Sequence, residues 1–490
     1  MSDYKVVIIG SGFGGQCAAL NLKKRGINDF IMLERRDFMG GTWCQNAYPG
    51  AAVDVQSLLY SIESEPYDWS QMFAQGDELQ RYTEHVISKH GLREKTRLNS
   101  NVCRTEWCEE RQHWQVHLSS GEVITAQYVI NASGPLSTPV IPNFKGRDSF
   151  KGTTFHTNAW DQTYDYAGKR VAIVGSGASA AQVIPAIAPD VKHLHVFQRS
   201  PHWVLPRPDR VFKPWQRKLL KFEPLRKLAR SAIYWGLESR VVGFKYSEWS
   251  LKNIAQSEAL HHIHKQIKDP VLRKKVTPDF TIGCKRIILS NTLYPAYCRS
   301  NVSLHDKADG IAEINETGIR TLGGEQVDLD CIVYSTGYDA TDGVISYPVI
   351  GKQGVKLKDV WDQFPRAYLG TSVPGFPNLF IVTGPNTGIG HTSAIFVIEA
   401  QMHYIMRAIA EVEQKNARAI EVRAQAEERY TNHIHSEMEK TVWKKGGCTS
   451  WYKSKSGHVV AMFPGFSYTY LRMARNFRSQ DHELQFISAK

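Results

Sequence analysis

The chain has 490 residues, more than one hydrophobic core ordinarily supports, and its 42% hydrophobic and 11% aromatic content excludes intrinsic disorder. A net charge of +12 invites nucleic acid or an anionic surface as partner, yet the Lys and Arg residues are spread out, densest in Arg207–Lys245 and Lys265–Arg286, without any nucleic-acid motif. Nucleic acid is not expected, and a polyphosphate cofactor accounts for part of the charge.

Lys5–Ile9 reads as an apolar strand, followed by Gly10-Ser11-Gly12-Phe13-Gly14-Gly15, an amphipathic helix through Arg25 and a strand Asp29–Glu34. G-x-G-x-x-G between strand and helix is a dinucleotide-binding signature: Gly10, Gly12 and Gly15 let the backbone approach a pyrophosphate that the helix N-terminus stabilises. Glu34 stands where it can accept hydrogen bonds from a ribose diol. Next come Gly40-Gly41-Thr42-Trp43 and Tyr48-Pro49-Gly50, then Asp54. Residues Leu98–Tyr128 predict a small antiparallel sheet with a turn at Ser119-Ser120-Gly121-Glu122. The apolar strand Val129–Gly134 ends where the chain leaves the first domain.

A second unit begins at Arg170–Val174, with Gly175-Ser176-Gly177-Ala178-Ser179-Ala180, a helix to about Ile187 and a strand His193–Gln198. The two units share one spacing: Gly10 to Glu34 and Gly175 to Arg199 are both 24 positions. An acid at that point suits a free 2′-hydroxyl, whereas a cation suits a 2′-phosphate. The first site therefore predicts FAD and the second NADP, with Ser200 and Lys285 as further phosphate donors.

From Trp215 to Lys268 the pattern is helical and basic, with Trp215, Leu219, Phe222, Leu225 and Leu228 at three- and four-residue spacing, as in an amphipathic lid. Contact with a lipid surface is a secondary reading of this stretch. Gly283-Cys284-Lys285-Arg286 is a turn bearing adjacent cations. Cys331–Gly337 marks the return from the second domain, and Ile381–Gly390 is a strand ending in a glycine-rich loop before a helix through Ala410. Eight cysteines without a C-x-x-C pair argue against a zinc site or a disulfide framework and for reduced thiols in a cytoplasm. Met1–Lys5 leads directly into the first strand, which leaves no room for a signal peptide.

Between the two glycine turns, Phe150, Gly152, His156, Trp160 and Asp161 match F-x-G-x-x-x-H-x-x-x-W-[P/D]. This pattern resembles the fingerprint of the Baeyer–Villiger monooxygenases, flavoenzymes that insert oxygen beside a carbonyl. The resemblance covers nearly the whole chain and implies an α/β fold of two Rossmann-like domains. Residues 1–140 and 375–490 would form a discontinuous FAD domain. Residues 150–374 would form the NADP domain, with a helical insertion at about 210–280 and linkers at about 134–151 and 338–375.

The resemblance also implies FAD contacts at Gly10, Gly12, Gly15, Glu34, Gly41, Thr42, Trp43, Asp54, Tyr60, Val102 and Asn386. It implies NADP contacts at Gly175, Ser176, Gly177, Ser179, Arg199, Ser200, Lys285 and Trp451. The residues after Trp451 depart from the family's A-N-x-P-G-K, so a plain packing role for Trp451 stays open. His156 would link domains, Arg286 would stabilise a C4a-peroxyflavin and Asp54 would orient Arg286. The implied reaction takes NADPH, O2 and a ketone to an ester or lactone, with sulfoxidation as a side activity and no metal; the oligomeric state is left open. A flavin-containing monooxygenase acting on N or S atoms is the alternative enzyme, and a non-catalytic flavin- or nucleic-acid-binding protein the alternative from another class. Cys44 stands alone where flavin disulfide reductases carry a C-x₄-C pair, which disfavours dithiol chemistry at the flavin.

Overall fold

The computed structural model describes residues 2–341 and 343–486. The first sheet is built on Tyr4–Ile9 (β1), whose Val6, Val7, Ile8 and Ile9 are buried, as a strand covered on both faces requires. Phe13–Lys24 (α1) crosses over to Phe30–Leu33 (β2), which pairs in parallel with β1 and with Thr96–Arg97 (β3). The meander Val102–Cys108 (β4), His113–Leu118 (β5) and Val123–Asn131 (β6) is antiparallel. β6 also pairs in parallel with β1, so the expected small sheet extends the nucleotide-binding one.

The second sheet is all parallel. Thr153–His156 (β7), Arg170–Val174 (β8), His193–Phe197 (β9), Val302–His305 (β10) and Cys331–Tyr334 (β11) lie in the order β10-β9-β8-β11-β7. The helix Ala178–Ile187 (α2) joins β8 to β9. The chain crosses between the sheets twice, at Gly134 and Gly337, both at positive φ, and the crossings run side by side: Val140 N donates to Gly337 O at 3.0 Å and Asp339 N to Thr138 O at 3.0 Å.

Residues 338–375 depart from expectation. Instead of a linker or an end to the NADP domain, the part from Val344 to Val373 packs on the first sheet: Val349–Ile350 (β12) pairs in parallel with β4, and Val344, Tyr347, Leu357 and Val373 pack in one core with Trp107 and Trp114. The edge of the meander needs covering, and this segment covers it. Leu379–Ile381 (β13) then pairs with the far half of β6.

The insertion contains Pro214–Leu220 (α3), Glu223–Glu238 (α4) and two π-helical turns, Val242–Tyr246 and Leu251–Gln256. Its predicted apolar stripe does not face the core. Trp215, Leu219, Phe222, Leu225 and Leu228 are all exposed, while α4 packs inward through Tyr234 and Leu237. A further helix, Ala394–Gln414 (α5), lies against α1.

The thiols also depart from expectation. Cys284 and Cys448, 164 residues apart, form a disulfide because the C-terminal segment folds back onto the second domain, where Thr281 N donates to Gly446 O at 3.1 Å. Among the described residues no helix is long and apolar enough to cross a membrane.

Candidate active site

The first glycine turn is a cradle that side chains would fill. Gly10 has φ +103°, and a Cβ there would stand 2.5 Å from the Ala132 carbonyl oxygen. Gly41 has φ +64°, and its Cβ would stand 2.7 Å from Gly12 Cα, so two loops meet backbone to backbone. A Cβ on Gly15 would stand 2.0 Å from Gly10 O, which fixes how closely α1 approaches its strand. Gly12 caps α1 without a side-chain hydrogen bond, leaving first-turn N–H groups directed at a cleft of about 250 Å³. Buried Glu34 lines that cleft; it accepts from Ser11 N at 3.1 Å, Ser11 Oγ at 2.7 Å and Arg36 N at 3.1 Å. Open donors facing a carboxylate across a side-chain-free cradle fit the pyrophosphate and ribose of a dinucleotide. Thr42, Trp43, Tyr60 and Val102 line the same cleft, with Trp43 Nε1 donating to Tyr60 Oη at 3.1 Å.

Asn386 does not line it. Its amide donates to the carbonyls of Val459 and Met462, each at 3.0 Å, so it braces the C-terminal segment, and Val382, Thr383 and Ile395 form the wall expected of it.

The second turn repeats the device. Gly175 has φ +128°, and a Cβ there would stand 2.2 Å from Ser335 O; Gly177 caps α2, again with no side-chain bond. Beside it Ser176 Oγ donates to Ser200 O at 2.7 Å and Lys285 Nζ donates to Ser200 Oγ at 2.7 Å. Burial, and then the charge of Arg199, push the Lys285 ammonium below its ordinary pKa. Arg199, Ser200 and Lys285 thus form one cationic, hydroxyl-bearing corner, the donor set a phosphate dianion requires. Ser179 bonds the Tyr48 hydroxyl, which burial pushes up to about 12 and which donates to Gln182 Oε1 at 3.0 Å.

A second cleft, of about 670 Å³, adjoins the first, with Tyr60, Leu136, Thr383 and Ala394 lining both. Arg286 and Asp54 meet in its wall as a fork: Arg286 Nε donates to Asp54 Oδ2 at 2.8 Å and Nη2 to Oδ1 at 2.6 Å. Each partner is set by glycine geometry. Asp54 follows a turn in which Gly50 (φ +79°) lies so near α2 that a Cβ would stand 2.5 Å from Gln182 O, and Gln182 Nε2 donates to Ala52 O at 2.8 Å. Arg286 follows Gly283 (φ +90°), where a Cβ would stand 2.7 Å from the Phe244 ring. Asp54 raises the Arg286 pKa beyond its usual value, so the guanidinium stays charged. It lies deep in the molecule, yet 45% of its side-chain surface is accessible, because that surface faces the cleft. Trp451 and Tyr452, stacked edge-on at 4.6 Å, line the same space.

The fingerprint residues line neither cleft. Phe150 packs beside the second sheet, and a Cβ on Gly152 would stand 2.6 Å from Asp330 O. His156, whose pKa burial lowers, accepts from Asn158 N at 3.0 Å on Nδ1. Asn158 Nδ2 donates to Tyr338 Oη at 3.2 Å, and Gln45 Nε2 donates to Asn158 O at 3.1 Å, which brackets the first domain to the linkers. Trp160 packs edge-on against Phe155, and Asp161 accepts from Thr163 N at 2.9 Å in a local turn.

Residues 7–224 match the family model described as pyridine nucleotide-disulphide oxidoreductase. The chain is similar to a Baeyer-Villiger monooxygenase of Pseudomonas aeruginosa, 41% identical over 98% of this chain and 91% of the relative. The chain belongs to the Baeyer–Villiger monooxygenase family. A solved cyclohexanone monooxygenase from Rhodococcus sp. Phi1 bound to NADP+ superposes with a TM-score of 0.89 at 29% identity, covering 99% of both chains. The structure of OTEMO in complex with FAD and NADP superposes at 0.87 and 28% identity, again over 99% of each.

Within this Baeyer–Villiger monooxygenase, sequence reasoning missed Tyr452 and the buried pair Glu238–His391. Glu238 Oε2 accepts from His391 Nε2 at 3.0 Å and from Ser467 Oγ at 2.7 Å, tying the insertion to the glycine-rich loop that walls the cleft. Partners 153 and 229 positions apart leave no local signature; the only signal was Tyr452's place beside Trp451.

Proposed function

We propose that this protein uses FAD and NADPH to insert one atom of O2 beside the carbonyl of a small ketone, giving an ester or lactone. The observation that carries the reading is the Arg286–Asp54 fork, set in a cleft that adjoins the first dinucleotide cradle and next in sequence to Lys285 of the second. When bound, the flavin supplies electron transfer and oxygen activation. The chain supplies the rest. Glu34 accepts from a ribose diol, while Arg199, Ser200 and Lys285 hold a 2′-phosphate and so select NADPH. Arg286 is a fixed cation where negative charge develops on the substrate oxygen, and Asp54 keeps it oriented. Leu237, Phe244, Leu251 and Val397 line the same cleft and give it an apolar wall for the ketone's hydrocarbon part. The cytoplasm, which supplies NADPH, suits this cofactor use.

A panel of ketones with NADPH and isotopically labelled O2 tests the proposal. The expected product is an ester or lactone carrying one labelled oxygen. NADPH consumption that leaves every ketone unchanged would overturn it.

A further inference from the structure

We propose that the outward face of the helical insertion docks on an anionic lipid bilayer. α4 carries two apolar stripes where a surface helix needs one. The inner stripe, Tyr234 and Leu237, packs with Leu59 and Phe396. The outer one, Leu225, Leu228 and Trp235, is 39%, 66% and 55% exposed, and α3 with its following turn prolongs it through Trp215 at 59% and Phe222 at 60%. Among the described residues, eleven of the 21 exposed large hydrophobics fall between Val211 and Ile254, so the exposed apolar side chains concentrate in this insertion rather than scattering over the chain. Trp235 continues onto Tyr468, itself exposed, with ring centroids 6.0 Å apart.

Charge chooses the occupant. Of the eleven Lys and Arg from Arg210 to Lys252, Arg217 and Lys221 share Asp68, Arg230 and Lys245 turn inward to Glu399 and Glu437, and Lys227 and Lys252 meet Glu223 and Glu248, which leaves Arg210, Lys213, Lys218, Arg226 and Arg240 without an ion pair among the described residues. Two copies meeting through this face would bring like charges together, whereas anionic headgroups neutralise them and accept the aromatic side chains at the interface. Trp and Phe beside Lys and Arg are the composition of a helix lying in the headgroup plane, not crossing it.

The face also borders the cleft. Val242 and Ile254 are exposed and line the cleft at once, so its opening lies at the edge of the docked surface. An apolar ketone dissolved in the bilayer would enter there without crossing water; this consequence rests on the reaction proposed above, and the docking itself does not.

The test is flotation of the holoenzyme with vesicles of phosphatidylcholine containing phosphatidylglycerol, beside vesicles of phosphatidylcholine alone. Binding to the anionic vesicles, weakened by added salt, is expected. The triple variant Trp215→Ser, Phe222→Ser, Trp235→Ser should bind at least tenfold more weakly, with unchanged melting and unchanged turnover of a water-soluble ketone. Absence of binding to anionic vesicles, or wild-type binding by the triple variant, would overturn the docking. So would a concentration-dependent dimer that the same substitutions dissolve in a protein that ignores vesicles, since a second copy would then cover the face. Vesicle binding in a preparation that turns over no ketone would sink the reaction and leave the docking standing.

Discussion

Replacing Arg286 by Ala removes both hydrogen bonds of the fork, at 2.8 and 2.6 Å, and the cation that Asp54 holds in place. Two costs can be compared. For stability, the pair faces the cleft, with 45% of the Arg286 and 24% of the Asp54 side-chain surface accessible, so water re-solvates Asp54 and the loss is about 1 kcal/mol. For rate, a preorganised donor at the oxygen where charge develops is worth roughly 10²–10³, or about 3–4 kcal/mol. The variant should therefore fold and bind cofactors yet lose product. Two assays separate these: anaerobic bleaching of the flavin by NADPH, expected to persist, and ester formed per NADPH under air, expected to fall by at least about a hundredfold. Arg286→Lys keeps the charge without the fork and should fall between. Ester production by the Ala variant at the wild-type rate would remove Arg286 from the chemistry, and an equal loss of bleaching would make it a cofactor-binding residue instead.

Other expectations rest on separate parts of the molecule. Arg199→Ala should raise the KM for NADPH about ten- to a hundredfold through loss of a charge-assisted contact while leaving that for NADH nearly unchanged, and equal effects on both would contradict the phosphate corner. Burial pushes the Glu399 carboxyl up to about 7, so between pH 4.5 and 7 the unfolded chain releases a proton the fold retains and stability falls as pH rises. Glu399→Gln should accordingly gain on the wild type by about 3 kcal/mol at pH 8 and by little at pH 4, read as the difference in melting temperature. With Cys284 paired to Cys448, a thiol titration of the unreduced, denatured chain should find six of its eight cysteines free. Eight would show that the pair is open.

The two β-α-β units were legible in the sequence because each is specified by neighbours: an apolar strand, glycines that alone tolerate the turn, and a helix that buries one side. The 24-position spacing that sets Glu34 against Arg199 belongs to the same local geometry, so it distinguished the two cradles without coordinates. Wherever the deciding partner lay far along the chain, only the tertiary structure decided. It gave residues 344–373 to the first sheet because the edge of β4 needed cover, turned Asn386 away from the flavin cleft onto Val459 and Met462, and paired Cys284 with Cys448. Periodicity foretold that residues 215–228 have an apolar face but not which way it points, since a helix shows the same spacing whether the stripe meets a core or solvent. That Asp54 orients Arg286, 232 positions away, followed from the family resemblance and the structure pairs them; the residues' own spacing could not have said so, because their meeting depends on how two domains pack and no local rule reaches that distance.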